Sequence, residues 1–281
     1  MKCYLEVGHA CFCNCVTCSV PKAKPIELDV ILKRIDKLGA FDTIRLAGHD
    51  PMSNPDIALI IDYIKDKGQK VDMTTTLLGG LPENYEIIDG LAVSMLGVEH
   101  AYSIFHGART FDKFLVNLKC FQDVVYGVFT LNYTFAIHEK EANFTDGNIF
   151  AFFDFCKSHL HPYASIHLFP AIRYDRDYTT EELAQMHKFY MYTKYLSNPV
   201  TYFNQGLRMK KHCPAADQSL YVKLNGDCYP CCMAGGEIGQ DLLPELLMGN
   251  IDTGKLKSIT KVDNYICDKC TPKYYALKEV K

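Results

Sequence analysis

The chain of 281 residues lacks the features that would place it on a nucleic acid or inside a membrane. It has no surplus of positive charge: 30 Lys and Arg stand against 33 Asp and Glu, a net charge of −3. A general nucleic-acid surface needs clustered basic charge to neutralise phosphates, so that class is set aside. No apolar run reaches the roughly 18 residues that read as a membrane span. No charged segment followed by a short apolar core opens the sequence, so no secretory signal is read and a cytoplasmic location is expected. Without export, a disulfide framework is not expected either. The 13 cysteines are therefore a metal signal rather than a set of crosslinks. Hydrophobic content of 48% is ordinary for a globular protein. The length allows one good core and an appendage.

Three of those cysteines, Cys11, Cys15 and Cys18, lie in Cys11-Phe12-Cys13-Asn14-Cys15-Val16-Thr17-Cys18, directly after the short run Tyr4–Val7. Thiolates this close can hold an iron–sulfur cluster. Three ligands for four irons leave one iron open to a small molecule, and an open metal site suggests chemistry where a closed one suggests structure. A zinc site or a disulfide pair is the plainer alternative, but zinc prefers four ligands arranged in closely spaced pairs. Cys13 lies inside the loop and fits no ligand position.

The middle of the chain alternates strands and helices. Leu28, Ile31, Leu32, Ile35 and Leu38 predict a helix over 27–38. A strand over Thr43–Leu46 follows, then a helix opened by Asn54 as N-cap with Pro55 at its first position and closed by Gly68. Strands are expected over Val71–Leu78 and Leu91–Met95, and Phe111, Phe114, Leu115 and Leu118 stripe another helix. The fifth strand alternates most clearly: Phe129, Leu131, Tyr133, Phe135 and Ile137 form an apolar face that packs under helices. Val128, Thr130, Asn132, Thr134 and Ala136 form a mixed face suited to lining a site. A helix over 147–157 and a strand over Ser165–Phe169 complete six βα units.

Such alternation implies a parallel sheet with right-handed crossovers, an α/β fold. Six units are too few for a closed eight-stranded barrel, so an open partial (β/α)6 barrel is expected over 1–200. Ligands in such folds bind at the carboxyl ends of the strands, where the three cysteines lie. Beyond Asn198-Pro199 a small cysteine-rich domain, 201–281, is expected. It has Cys213, a β-hairpin turning at Asn225-Gly226 between Leu220–Leu224 and Cys228–Cys232, and the pair Cys267 and Cys270. Four cysteines in two groups can enclose one cluster or metal ion, with a structural zinc site as the alternative.

The C-x3-C-x2-C spacing at the end of a first strand resembles the radical S-adenosylmethionine (SAM) superfamily. The resemblance implies a 4Fe–4S cluster on Cys11, Cys15 and Cys18 whose open iron binds SAM, with reductive cleavage to a 5′-deoxyadenosyl radical. Gly48-His49-Asp50-Pro51 looks like that family's Gly-Gly-Glu-Pro segment, His49 replacing a glycine and Asp50 the glutamate. Thr74-Thr75-Thr76-Leu77 resembles its Thr-Asn-Gly turn. Ser94-Met95-Leu96-Gly97, followed by His100, His106-Gly107 and Phe111, is similar to its Ser-Leu-Asp-Gly stretch. These matches imply SAM contacts from Gly48, His49, Asp50, Thr75, Ser94 and Asn132.

Among the histidines, His49 and His167 sit where a site can form. His167 is a candidate base, with a hydrogen-bonded strand histidine as its plainer reading. The C-terminal segment resembles the twitch domain, the short form of the SPASM extension. That implies Cys213, Cys231, Cys267 and Cys270 as ligands of a closed auxiliary 4Fe–4S cluster, with Met248-Gly249-Asn250-Ile251 as the linker. Cys3, Cys13, Cys228 and Cys232 have no matched role.

The implied activity is a radical SAM oxidation of dehydrogenase type on a small molecule, fed by flavodoxin or ferredoxin. The first strand begins within a few residues of Met1, which leaves no room for a leader-binding domain and favours a small molecule or short peptide. One alternative is epimerisation or cross-linking of a ribosomal peptide, with Cys156, Cys228 or Cys232 as hydrogen donor. A non-catalytic metal-binding scaffold is the alternative from another class.

Overall fold

The computed structural model describes residues 1–8, 10–18, 26–107, 110–124, 128–139, 141–171, 178–202, 219–230 and 247–256. Strand β1 (Lys2–Glu6) leads through helix α1 (Leu28–Lys37) to β2 (Thr43–Ala47), then α2 (Ile57–Asp66) to β3 (Lys70–Thr75). β4 (Gly90–Met95) is followed by α3 (Glu99–His106) and α4 (Phe111–Val124), then β5 (Val128–Phe135) and a small ribbon, β6 (Ile137–His138) with β7 (Glu141–Ala142). α5 (Asp146–His159), β8 (Ser165–Pro170), α6 (Thr180–Thr193) and β9 (Val200–Tyr202) follow. Four more strands end the described chain: β10 (Ser219–Val222), β11 (Asp227–Tyr229), β12 (Gly249–Asn250) and β13 (Lys255–Leu256).

All but the ribbon belong to one 11-stranded sheet in the order β13-β12-β11-β10-β1-β2-β3-β4-β5-β8-β9. From β10 to β9 every neighbouring pair is parallel, whereas β11, β12 and β13 are antiparallel additions. The two ends of this order do not pair, so the barrel is partial, as the six-unit count predicts. The expected hairpin is present: Lys223 N–H donates to the Asp227 carbonyl at 2.8 Å and Gly226 takes φ 86°. It does more than expected, because β10 lies parallel against β1, Lys2 opposite Ser219 and Leu5 opposite Val222.

Burial follows the alternation read from the sequence. In β5, Phe129, Leu131, Tyr133 and Phe135 are buried while Thr130, Asn132 and Thr134 stay half-buried on the other face. Under the helices, Tyr133 meets Phe152 of α5 edge-on, ring centroids 4.5 Å apart, and Phe189 of α6 at 5.1 Å. Rings this size bury the largest areas per residue, roughly 2–3 kcal/mol each, and fix the helices against this face of the sheet.

Three boundaries differ from expectation. α2 starts at Ile57 and not at Pro55, because Asp50 first caps a 3-10 turn, Pro51–Ser53. Asn54 does not cap the helix: its amide donates to the Val7 carbonyl at 2.8 Å and its Oδ1 accepts from Asp56 N–H at 2.8 Å, tying the loop to β1. β3 stops at Thr75, before Leu78, where the chain turns through Leu77 at φ 62°. β5 stops at Phe135, and Ile137 pairs with Ala142 in the ribbon instead.

The C-terminal strands are fastened to α1 mainly by one side chain. Arg34, buried in the middle of α1, donates from Nε and Nη2 to the Asp252 carboxylate at 2.9 and 2.6 Å. Its Nη1 donates to the carbonyls of Lys223 and Leu224 at 3.3 and 3.1 Å. Lys37 adds a 2.7 Å bond to the Ile251 carbonyl. Among the described residues no helix is long and apolar enough to cross a membrane.

Candidate iron–sulfur and cofactor site

The segment that follows β1 carries the four N-terminal thiols and is pinned on both flanks. On one side Val7 N–H donates to the Ala47 carbonyl and His49 N–H to the Gly8 carbonyl, at 3.1 and 3.3 Å. Gly48 lies between at φ 118°, and a Cβ there would stand 2.2 Å from the Gly8 oxygen. Only glycine permits that approach. On the other side, Asn14 and Val16 N–H groups donate to the carbonyls of His106 and Phe105, at 2.9 and 3.1 Å. Those carbonyls end α3 and have no partner within the helix, so the loop satisfies them. Gly107 closes α3 in the left-handed region at φ 60°, and a Cβ there would press on the Asn14 carbonyl at 2.8 Å.

The thiols of this loop are all free. Cys13 is buried, Cys11 and Cys15 are half-buried, and Cys18 is exposed. Cys13 N–H donates to Cys11 Sγ at 3.3 Å. The hydrogen bond with the Cys13 thiol, then burial, pushes the Cys11 thiol well above its ordinary range. Cys13 is pushed up to about 12: the Cys11 contact lowers it, but the Cys15 hydrogen bond and burial outweigh that. Cys11 and Cys13 therefore keep their protons in the metal-free loop, and metal binding at Cys11 must displace its proton. Among the described residues, the donor atoms drawn within 4.8 Å of one another are those of Cys13, Cys15 and His106, not of Cys11, Cys15 and Cys18. Four thiols on one loop, three of them reachable from outside, are donors of the type that suits an iron–sulfur cluster.

Two imidazoles approach these sulfurs. His49 Nε2 lies 3.8 Å from Cys18 Sγ. His106 Nδ1 lies 3.4 Å from Cys15 Sγ, and its Nε2 accepts from Leu96 N–H at 3.0 Å. His106 is fully buried and stacked on Tyr102, centroids 4.2 Å apart. Burial lowers its pKa to about 3, so the ring is neutral at physiological pH. Sequence reasoning passed over His106. It entered the sequence reading only as part of His106-Gly107 in the stretch likened to the family's, with no role of its own.

The residues matched to SAM-binding motifs fall into two groups. Asp50 is buried, and its carboxylate accepts from Thr75 Oγ1 at 2.7 Å, Thr76 Oγ1 at 2.6 Å and Met52 N–H at 3.3 Å. Burial raises its pKa, and the threonine hydroxyls oppose the rise. Asp50, Thr75 and Thr76 thus form one hydrogen-bonded unit across the ends of β2 and β3, just past Gly48, and the Asp50 carboxylate is saturated by the protein itself. Thr75 pairs with Val93 and is out of phase with Ser94. Ser94, Asn132, His167 and Thr201 instead form one row in register across β4, β5, β8 and β9.

This half-buried face carries further polar groups nearer the other end of the strands. Arg45 pairs with Asp72 at 2.9 Å and lies over the Tyr4 ring at 5.7 Å. Lys2 joins the same carboxylate at 2.5 Å. Burial, helped by the Arg45 charge, holds His167 below its ordinary pKa.

Cys213, Cys231, Cys232, Cys267 and Cys270 lie outside the described residues. Two other thiols offered as hydrogen donors are corrected by the packing. Cys156 in α5 is 1% exposed and Cys228 in β11 is 0% exposed, so neither reaches the half-buried face. Cys228 packs toward the α1 side: burial raises its pKa to about 11 while the nearby Arg34 charge lowers it, and burial, then the Cys228 charge, raise Cys3.

Comparisons with known proteins agree with this anatomy. Residues 213–276 match the SPASM iron–sulfur cluster-binding domain. The fold is similar to that of Streptococcus suis SuiB bound to S-adenosylmethionine, with TM-score 0.62, 15% identity, 84% of this chain covered and 61% of that one. It is likewise similar to SuiB bound to the precursor peptide SuiA, with TM-score 0.60, 15% identity, 82% of this chain and 59% of that one. The chain thus spans about 61% of the SuiB length. Among curated proteins none matches. The comparisons thus show a partial parallel barrel with the fold of SuiB and, over residues 213–276, a match to an iron–sulfur cluster-binding domain.

Proposed function

We propose that this chain is a radical SAM enzyme that abstracts hydrogen from an organic substrate held against the half-buried face of its sheet. The observation that carries the reading is the position of the C-x3-C-x2-C loop. It leaves the carboxyl end of β1 and is fastened to the ends of β2 and α3, where ligands bind in folds of this kind. Cys11, Cys15 and Cys18 hold a 4Fe–4S cluster, and Cys213, Cys231, Cys267 and Cys270 hold a second one in the SPASM region. When bound, the first cluster and SAM together supply a 5′-deoxyadenosyl radical able to take hydrogen from carbon. A low-potential flavodoxin or ferredoxin is the expected electron donor.

The chain's own residues bind and orient. Gly48 lets the backbone after β2 approach closely, and Asp50 holds that loop to β3. His49, Ser94 and Asn132 offer hydrogen bonds to SAM from the strand ends. His167, held neutral by burial and by Arg45, is a base that can accept a substrate proton. Arg45, Asn132 and His167 give the face a polar character that suits a small hydroxylated molecule, which supports a dehydrogenase-type oxidation. A second reading, modification of a peptide, is supported by the likeness to SuiB seen with its precursor peptide.

The test is anaerobic reconstitution followed by reduction with SAM and detection of 5′-deoxyadenosine. Cleavage that survives Cys15→Ala overturns the reading. About eight irons per chain fit two clusters, whereas zinc without iron would mean a scaffold. Solvent deuterium at a peptide α position would decide for epimerisation.

A further inference from the structure

We propose that His106 is a positioning residue for the N-terminal cluster: its Nδ1–H donates to the sulfur of Cys15 and stabilises the reduced state of the cluster held there. The inference rests on the proposed function and adds to it a residue to which the sequence resemblance gave no role.

The tautomer follows from the backbone. Leu96 N–H can only donate, and it points at Nε2 from 3.0 Å. Nε2 is therefore the acceptor and carries no proton. The neutral ring then has its proton on Nδ1, 3.4 Å from Cys15 Sγ. The donor atoms of Cys13, Cys15 and His106 lie within 4.8 Å of one another, a spacing that also suggests a metal ligand set. The nitrogens decide against imidazole ligation, because one lone pair is taken by Leu96 and the other nitrogen is protonated.

The ring cannot turn away. It is fully buried, stacks on Tyr102, and belongs to the residue whose carbonyl holds Asn14 N–H. One residue thus fixes the loop through its backbone and addresses a ligand sulfur through its side chain. A hydrogen bond to a thiolate ligand withdraws electron density from it, and such bonds are among the levers that set cluster potentials. Near this cluster, an N–H···S bond makes reduction easier for a weak donor.

The experiment is an anaerobic redox titration of the reconstituted full chain, followed by EPR. The signal is assigned to the N-terminal cluster by its perturbation on adding SAM. His106→Gln places a carbonyl near the Nε2 position, keeping an acceptor for Leu96 and losing the donor to sulfur. His106→Asn places an amide near Nδ1 and keeps the donor. At the wild-type midpoint, the Gln variant should show a reduced-to-oxidised ratio about tenfold lower, equivalent to 59 mV for one electron. The Asn variant should stay within about threefold of wild type.

A Gln variant with full iron and an unshifted midpoint overturns the proposal, as do equal shifts in both variants. Wild-type protein that binds no iron overturns the functional reading itself, which is a different failure. A measurement free of His106 substitutions guards against misfolding. In a His49→Gln background with 15N-labelled histidine, a weak nitrogen coupling to the reduced cluster is expected. The strong coupling of a directly bound imidazole, or none, overturns the proposal.

Discussion

Removing Asp252 should loosen the C-terminal strands more than removing the arginine that binds it. The two partners are buried unequally: the Arg34 side chain is 3% exposed and the Asp252 side chain 41%. Asp252→Ala leaves a guanidinium sealed in the protein with only the Lys223 and Leu224 carbonyls to answer it. Stranding a buried charge costs about 3–5 kcal/mol, and the two remaining carbonyls place this case near 3. Arg34→Met keeps the length and apolar bulk of the stem and leaves behind a carboxylate that water already reaches. The lost turn hydrogen bonds then cost about 1–2 kcal/mol. The double variant should resemble Arg34→Met alone, and so be firmer than the Asp252 single variant. Hydrogen exchange over residues 219–230 reads this directly. Opening should rise roughly a hundredfold in Asp252→Ala, and roughly tenfold in Arg34→Met and in the double variant. If Arg34→Met exchanges faster than Asp252→Ala, the burial asymmetry is not what governs the latch.

Gly107→Ala should lower iron incorporation at the N-terminal site, because its methyl group meets the Asn14 carbonyl at 2.8 Å. Left-handed backbone and contact together should lower thermal stability by about 1–3 kcal/mol, seen by calorimetry. Asp50→Asn puts an amide donor among hydroxyl and N–H donors, and should destabilise by about 1–3 kcal/mol in denaturant titration while weakening SAM binding. Asp72 should give an acid-side dependence. Burial raises its pKa, but Lys2 and Arg45 outweigh it and hold it below the ordinary range. A depressed carboxylate adds stability above its unfolded value near about 4, and that stability drains away as pH falls further. Asp72→Asn should flatten the stability profile below about pH 4 and leave its slope near neutrality unchanged.

Where burial repeats every second residue, the strands could be read before the fold was seen. β5 and β8 carry that alternation from end to end, and β2 carries it over Thr43–Ala47. The start of α2 was not legible, because the Asp50 and Asn54 side chains bond neighbouring backbone groups and delay the helix by local competition. α3 was missed as a helix because Glu-His-Ala-Tyr-Ser-Ile-Phe-His has no clean polar face, and Glu99 itself takes φ 49°. The cysteine loop was legible from spacing alone. The setting of His106 was not, since it needs Leu96 on one side and Cys15, 91 residues away, on the other. The pairing of β1 with β10 was equally hidden, because each strand reads only as a short apolar run and nothing local names its partner.

That pairing has a consequence for how the chain comes off the ribosome. Cys3 of β1 sits opposite Leu220 of β10, so one edge of β1 waits for a partner that the chain supplies only much later. During that interval the strand offers an open row of backbone donors and acceptors to any passing polypeptide. Truncations placed before residue 219 should therefore clump during expression while losing no part of β2 to β9, and supplying the missing segment in trans should restore their solubility.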